Sequence, residues 1–142
     1  MYKRDQKCID HTLALAAESK FRRARMACIA THKRRIIAEA NNGNKTHPMQ
    51  NKYNIYRDDY HDDGVVMPKV HAEMACLAIL KTMIPKHNIN PSEITLYVAR
   101  SCLDRDRGMA RPCKACMRAI KDFGIRRVFY TTDMGVAEEY II

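Results

Sequence analysis

Two short motifs hold the side chains of this sequence most able to do chemistry: His71-Ala72-Glu73 and, later in the chain, Pro112-Cys113-Lys114-Ala115-Cys116. An imidazole and two thiols are metal donors, and a carboxylate beside them moves protons. A structural zinc closes its tetrahedron with four Cys or His side chains, whereas a catalytic zinc takes three protein ligands and leaves the last position to water. His71, Cys113 and Cys116 make three. The expected arrangement is therefore a hydrolytic zinc site in which Glu73 stays unligated.

The spacing carries physical content. Cys113 and Cys116 are three apart, so on a helix their side chains lie on one face and can grip one ion. Pro112 suits the first turn of that helix, where its missing N–H costs nothing. Both sulfurs then sit at a positive helix end, which favours the thiolate. An ion held this way acidifies its bound water enough to give hydroxide near neutral pH. His71 and Glu73 are two apart and cannot share a helical face, which predicts His71 within one residue of a helix N-terminus. Taken alone, the cysteine pair also reads as a redox motif or half of a structural zinc site. The structural reading needs His47, Cys102 or His61 as a fourth ligand, and that ligand would close the site.

The pattern H-x-E followed by P-C-x-x-C is the signature of zinc-dependent nucleobase deaminases. On these residues, and on the apolar runs flanking them across roughly positions 26–132, the chain resembles the cytidine and deoxycytidylate deaminase superfamily. The resemblance implies an α/β fold, a three-layer α/β/α sandwich with a mixed sheet. It implies Zn2+ on His71, Cys113 and Cys116, Glu73 as general acid and base, and attack at C4 of cytosine or C6 of a purine. Asn42 is the nearest match to the asparagine that binds the substrate sugar, with Ala40-Asn41-Asn42 standing where the family has Gly-Tyr-Asn and Asn41 as the alternative. Lys45-Thr46-His47-Pro48 is similar to phage-borne deoxycytidylate deaminases, with His47 against the base or sugar and Lys45 against a phosphate; Ala72 joins them as a substrate contact. Met109-Ala110-Arg111 replaces the Thr-Leu-Glu of transfer-RNA deaminases, which argues against that branch. Arg100, Arg105, Arg107 and Arg111 are further phosphate candidates, partly neutralised by Asp104 and Asp106.

The substrate expected on this basis is a free cytosine mononucleotide, deoxycytidylate, converted to deoxyuridylate with release of ammonia. A deaminase of single-stranded nucleic acid, a purine nucleotide deaminase and a non-enzymatic zinc-stabilised binding module remain open. A homo-oligomer is implied by the resemblance.

Length and charge agree with a compact enzyme. The 142 residues suit one domain across 1–142. The longest apolar-rich run is far too short for a bilayer, and no secretory signal is expected at the N-terminus. Cys8, Cys28 and Cys76 fall among apolar neighbours and read as small buried hydrophobes, so a reducing cytoplasm is the simpler location. The formal charge of +9 is uneven: residues 1–57 carry 13 Lys or Arg against 4 Asp or Glu, while residues 58–142 carry 12 of each. Seven basic residues and no acidic one fall between positions 20 and 35, a density that attracts phosphates or only solvates a surface.

The elements that must position the motifs follow from periodicity. Cys8, Ile9, Thr12, Leu13, Ala16 and Ala17 recur at helical spacing. Segments 26–31 and 35–40 read as a two-stranded hairpin around His32-Lys33-Arg34. Residues 41–70 lack periodicity and read as one long loop, with Tyr53, Tyr56 and Tyr60 either stacking on bases or covering a core edge. Residues 71–83 are apolar almost all round, which predicts a helix in the centre of the fold. A buried strand at 94–99, a charged loop at 101–112, a second zinc helix at 113–123 ended by Gly124, a strand at 127–131 and a terminal segment of helical character at 136–142 complete the reading.

Overall fold

In the computed structural model, residues 1–20, 24–43, 47–57 and 70–142 are described. The chain begins with helix α1 (Lys3–Ala17) and a hairpin of β1 (Arg25–His32) and β2 (Arg35–Asn41). A short helix α2 (Pro48–Tyr53) and one 3-10 turn (Asn54–Tyr56) follow. After them come α3 (Ala72–Lys86), β3 (Ile94–Ser101), α4 (Lys114–Asp122), β4 (Arg127–Thr132) and β5 (Gly135–Tyr140). The strands form one sheet in the order β2-β1-β3-β4-β5. Only β3 and β4 run parallel, with α4 as their crossover; every other neighbouring pair is antiparallel. This is the mixed sheet of the expected three-layer α/β/α arrangement.

Alternation along the strands builds a core on each face. Cys28 and Ala30 of β1, Leu96 and Val98 of β3, and Val128 and Tyr130 of β4 point one way, under α2, α3 and α4. Ile29, Tyr97 and Phe129 point the other way, against Ile9 of α1. Tyr97 and Phe129 stack there with ring centroids 5.2 Å apart. Helix α1 buries Asp5, Ile9, Thr12 and Ala16, a stripe of helical period; Ala17, expected inside, is exposed. Asp5 is buried because its carboxylate accepts the Tyr97 hydroxyl at 2.5 Å. That bond and burial push the Tyr97 pKa up.

Three elements differ from the sequence reading. The 41–70 stretch is not all loop: Pro48 starts α2, whose N-cap is His47, and Tyr53 is nearly buried with its hydroxyl on Asp122 at 2.9 Å. Tertiary contacts stabilise a helix too short to show periodicity. Residues 136–142 are not helical; β5 pairs with β4 from Thr132↔Gly135 to Arg127↔Tyr140. Sheet pairing overrides the helix-forming Ala137-Glu138-Glu139 there. Helix α3 is not central either. It covers one sheet face with Ala72, Glu73, Met74, Cys76, Leu77 and Leu80, while Ile79 on its outer side is 40% exposed.

The end of α4 follows expectation. Gly124 has φ +85°, its N–H donates to the Lys121 carbonyl, and the Ile125 N–H donates to the Ile120 carbonyl, a Schellman closure. A Cβ there would also meet Pro91 at 3.3 Å. Gly124→Ala is expected to lower stability by about 1–2 kcal/mol in urea unfolding, at unchanged m-value.

Candidate active site

His71 is the N-cap of α3 and Cys113 the N-cap of α4, so two helices begin side by side over one end of the sheet. Pro112 thus precedes the cap instead of opening the first turn; it is buried. The Nδ1 of His71 lies 3.4 Å from Cys116 Sγ and 3.7 Å from Cys113 Sγ. The three donor atoms all fall within 4.8 Å of one another. Zn–N and Zn–S bonds of about 2.0 and 2.3 Å in a tetrahedron require donor separations of about 3.5–3.8 Å, and borderline-soft zinc suits one imidazole and two thiolates. The residues fit the ion. Among the described residues no other His, Cys, Asp or Glu joins the cluster, so neither His47 nor Cys102 closes it; His61 lies outside the described residues.

The electrostatics of the site follow from burial and from the contacts among these side chains. Cys113 is pulled down to about 4 by the hydrogen bond from Cys116, helped by His71 and the Cys116 backbone N–H. Cys116 is pushed well up by that same bond and by burial. His71 is raised by its contact with the Cys113 sulfur, against its own burial. Glu73 is 3% exposed, in the first turn of α3, and its carboxyl is raised by desolvation, with His71 opposing. The two groups act on each other: Glu73 raises the Cys116 thiol, and Cys116 is among the groups that oppose the rise of Glu73. The carboxyl is thus electrostatically coupled to the cluster, and its oxygens are not among the three grouped donor atoms.

Several positioning residues carry no sequence signal. Gln50 is fully buried in α2; its Oε1 accepts the His71 N–H at 2.9 Å, and its Nε2 donates to Asn54 Oδ1 at 2.8 Å. Arg57 places Nη1 3.2 Å from His71 Nε2, behind the nitrogen aimed at the sulfurs. Thr131 of β4, also buried, donates to the Gly108 carbonyl and accepts from the Arg100 N–H, and its carbonyl takes the Ala110 N–H. Those bonds fix the loop that delivers Cys113. Gly43 binds the Val70 carbonyl through its N–H, and a Cβ at Gly43 would meet Val70 at 2.7 Å. This close approach draws the end of β2 to the residue before His71.

The expected substrate contacts fare unevenly. Asn42 Oδ1 accepts from Ser19 Oγ and the Met26 N–H, and Nδ2 donates to the Ala24 carbonyl. One N–H of that amide is left to offer. Asn41, its alternative, donates to the Leu15 carbonyl. His47 uses Nδ1 to cap α2, accepting the Met49 N–H at 3.1 Å. Ala72 is fully buried behind the motif. Lys45 and Tyr60 lie outside the described residues. Arg105, Arg107 and Arg111 each hold a carboxylate: Asp104 and Asp133, Asp106, and Glu139 respectively. Of the loop tyrosines, Tyr53 covers the core edge and Tyr56 lies under Arg118, 5.0 Å from ring centroid to guanidinium.

Two outcomes follow. Metal must displace the proton that Cys116 retains and, at lower pH, the one on His71, so affinity falls as pH falls. Chelator competition is expected to show zinc affinity rising by about one to two log units per pH unit between about pH 6 and about pH 8. Gln50→Ala, which frees the His71 backbone, is expected to weaken zinc binding by about 10–100-fold in the same assay.

Comparison with known proteins agrees with this geometry. A family model described as the cytidine and deoxycytidylate deaminase zinc-binding region matches residues 2–132. The fold is shared with the dCMP deaminase of cyanophage S-TIM5, solved in complex with dCMP and dUMP (19% identity, TM-score 0.59, covering 93% of this chain and 84% of that one) and in apo form (18% identity, TM-score 0.58, 93% and 86%). It also matches Acinetobacter baumannii RibD (form 1: 18% identity, TM-score 0.50, 92% of this chain and 28% of that one). No curated protein matches the chain in sequence. With the family model spanning nearly the whole sequence, and a His/Cys/Cys group built to hold its metal, the chain belongs to the cytidine and deoxycytidylate deaminase family of zinc enzymes.

Proposed function

We propose that this chain, as one domain across residues 1–142, hydrolyses the exocyclic amine of a free cytosine mononucleotide, dCMP to dUMP. The observation that carries the reading is a buried carboxylate, Glu73, two residues from His71 and electrostatically coupled to a three-donor cluster that no fourth described residue completes. Zinc bound by His71, Cys113 and Cys116 would supply a Lewis acid that brings the pKa of water near neutrality. Every proton transfer then falls to Glu73. Its carboxylate takes a proton from the attacking water and passes it to the ring nitrogen beside C4. It returns the next proton to the departing amine. A C4–O bond forms, the C4–N bond breaks, one water is consumed and one ammonia leaves. Burial, which raises the Glu73 pKa, suits a group that must both accept and give a proton near neutral pH.

Support for a mononucleotide comes from the fold shared with a phage dCMP deaminase solved with dCMP and dUMP. We assign the remaining N–H of Asn42 to the sugar, the free Nε2 of His47 to the base or sugar, and Lys45 to the phosphate. Ala72 forms the wall behind the motif. A thiolate pair needs a reducing compartment, so the cytoplasm is the assigned location. A homo-oligomer is part of the same proposal.

Glu73→Gln separates this enzyme from a zinc-stabilised binding module. The variant is expected to keep one zinc per chain by metal analysis and to lose turnover by about 10²–10⁴-fold, read as ammonia released from dCMP. Unchanged turnover would remove Glu73 from the chemistry. Release of ammonia from an oligonucleotide or a purine nucleotide, with none from dCMP, would reassign the substrate.

A further inference from the structure

The connection from β3 to α4, residues 102–112, ends on Cys113, so its last residues decide where one zinc-ligating sulfur lies. Its earlier part is fixed by backbone bonds: the Gly108 N–H donates to the Arg100 carbonyl, and the Ala110 N–H donates to the Thr131 carbonyl. Between Ala110 and Cys113 stand only Arg111 and Pro112. Pro112 has no N–H to donate, so the polar side chain available there is that of Arg111.

Arg111 forks onto Glu139 of β5. Its Nε donates to Oε1 at 2.6 Å and its Nη2 to Oε2 at 3.3 Å, and the Tyr130 hydroxyl of β4 donates to the same Oε1 at 2.8 Å. Glu139 lies opposite Val128, on the sheet face that carries the zinc cluster. Its neighbour Glu138 lies opposite Phe129 on the other face and pairs with Arg127 at 2.8 Å. A two-point contact between guanidinium and carboxylate fixes direction as well as distance. The Arg111 side chain is 53% exposed and that of Glu139 31%, and ion pairs this open add little to global stability. The effect of this one is local: it ties the edge strand of the sheet to a residue two positions before a metal ligand.

We propose that Glu139 is a positioning residue of the zinc site: acting through Arg111, and itself held by Tyr130, it sets where the Cys113 sulfur meets the metal. This role rests on the reading of His71, Cys113 and Cys116 as zinc ligands. Contacts one shell outside a metal's ligands are worth about 10–100-fold in affinity, and a contact that works through two residues of backbone falls at the lower end. Two charges acting on zinc only through space would show effects of opposite sign. Loss of the carboxylate would weaken binding of a dication, and loss of the guanidinium would strengthen it. Positioning predicts a loss from both.

Chelator competition for zinc on the full chain tests this. Glu139→Ala and Arg111→Ala are each expected to weaken zinc binding by about tenfold, and the double variant by about the same factor, because either change alone opens the contact. Glu138→Ala removes a paired carboxylate from the same strand but from the other face, and is expected to change zinc affinity by less than about twofold. Glu139→Gln keeps the side chain's shape and one acceptor oxygen, so it repeats the test if the alanine variant fails to fold, with a smaller loss in the same direction. Tighter zinc binding in Arg111→Ala, unchanged binding in both single variants, or an equal loss in Glu138→Ala would overturn the positioning role. A wild-type chain that binds no zinc would instead overturn the metal reading beneath it.

Discussion

Two helix N-termini, those of α3 and α4, meet over the same end of one sheet face, and the chemistry depends on that meeting. His71 and Cys113 are both N-cap residues, with extended backbone that turns their side chains toward each other and not along the helices. Cys116 comes from the first turn of α4, which brings three donors from two distant stretches of sequence within 4.8 Å. The parallel β3–β4 pair makes this possible. A parallel crossover returns the chain across the sheet through a helix, and α4 is that helix. An antiparallel pairing at the same place would need no helix, and the two thiols would lose their platform.

Positive helix ends and buried surroundings pull in opposite directions here, and the balance differs for each group. Cys113, which receives hydrogen bonds from Cys116 and His71, is held as a thiolate. Cys116 and Glu73, deeper in the site, are pushed toward their protonated forms. A divalent cation reverses that balance for the sulfurs at once. In the proposed reaction Glu73 is the group that still exchanges a proton, and the same burial that makes charge costly divides the labour between ligands and acid–base group.

Much of the site was legible in the sequence because metal ligation restricts residue type and spacing. The two-residue offset of His71 and Glu73 put the motif at a helix start, and His71 is the cap residue. The hairpin, β3, β4 and the Gly124 closure followed from alternation and turn chemistry. Helix α2 did not, since six residues leave no period to read, and its burial of Gln50 and Tyr53 depends on partners far along the chain. Strand β5 carries helix-forming residues and is a strand because β4 needed an antiparallel edge. Gln50, Arg57 and Thr131 were invisible for a related reason: an amide, a guanidinium or a hydroxyl becomes a positioning group only when the fold supplies its partner. Asn42 shows the converse, a residue with the right chemistry whose amide is largely spent tying the α1–β1 connection and the start of β1 to the end of β2.

The central claim is that one imidazole and two sulfurs hold zinc and leave its last corner to solvent. X-ray absorption at the zinc K-edge of the loaded protein tests it most directly. The account predicts two sulfur neighbours at about 2.3 Å and two nitrogen or oxygen neighbours at about 2.0 Å, with the scattering signature of only one imidazole. Three or four sulfurs, or a second imidazole completing the shell, would contradict it.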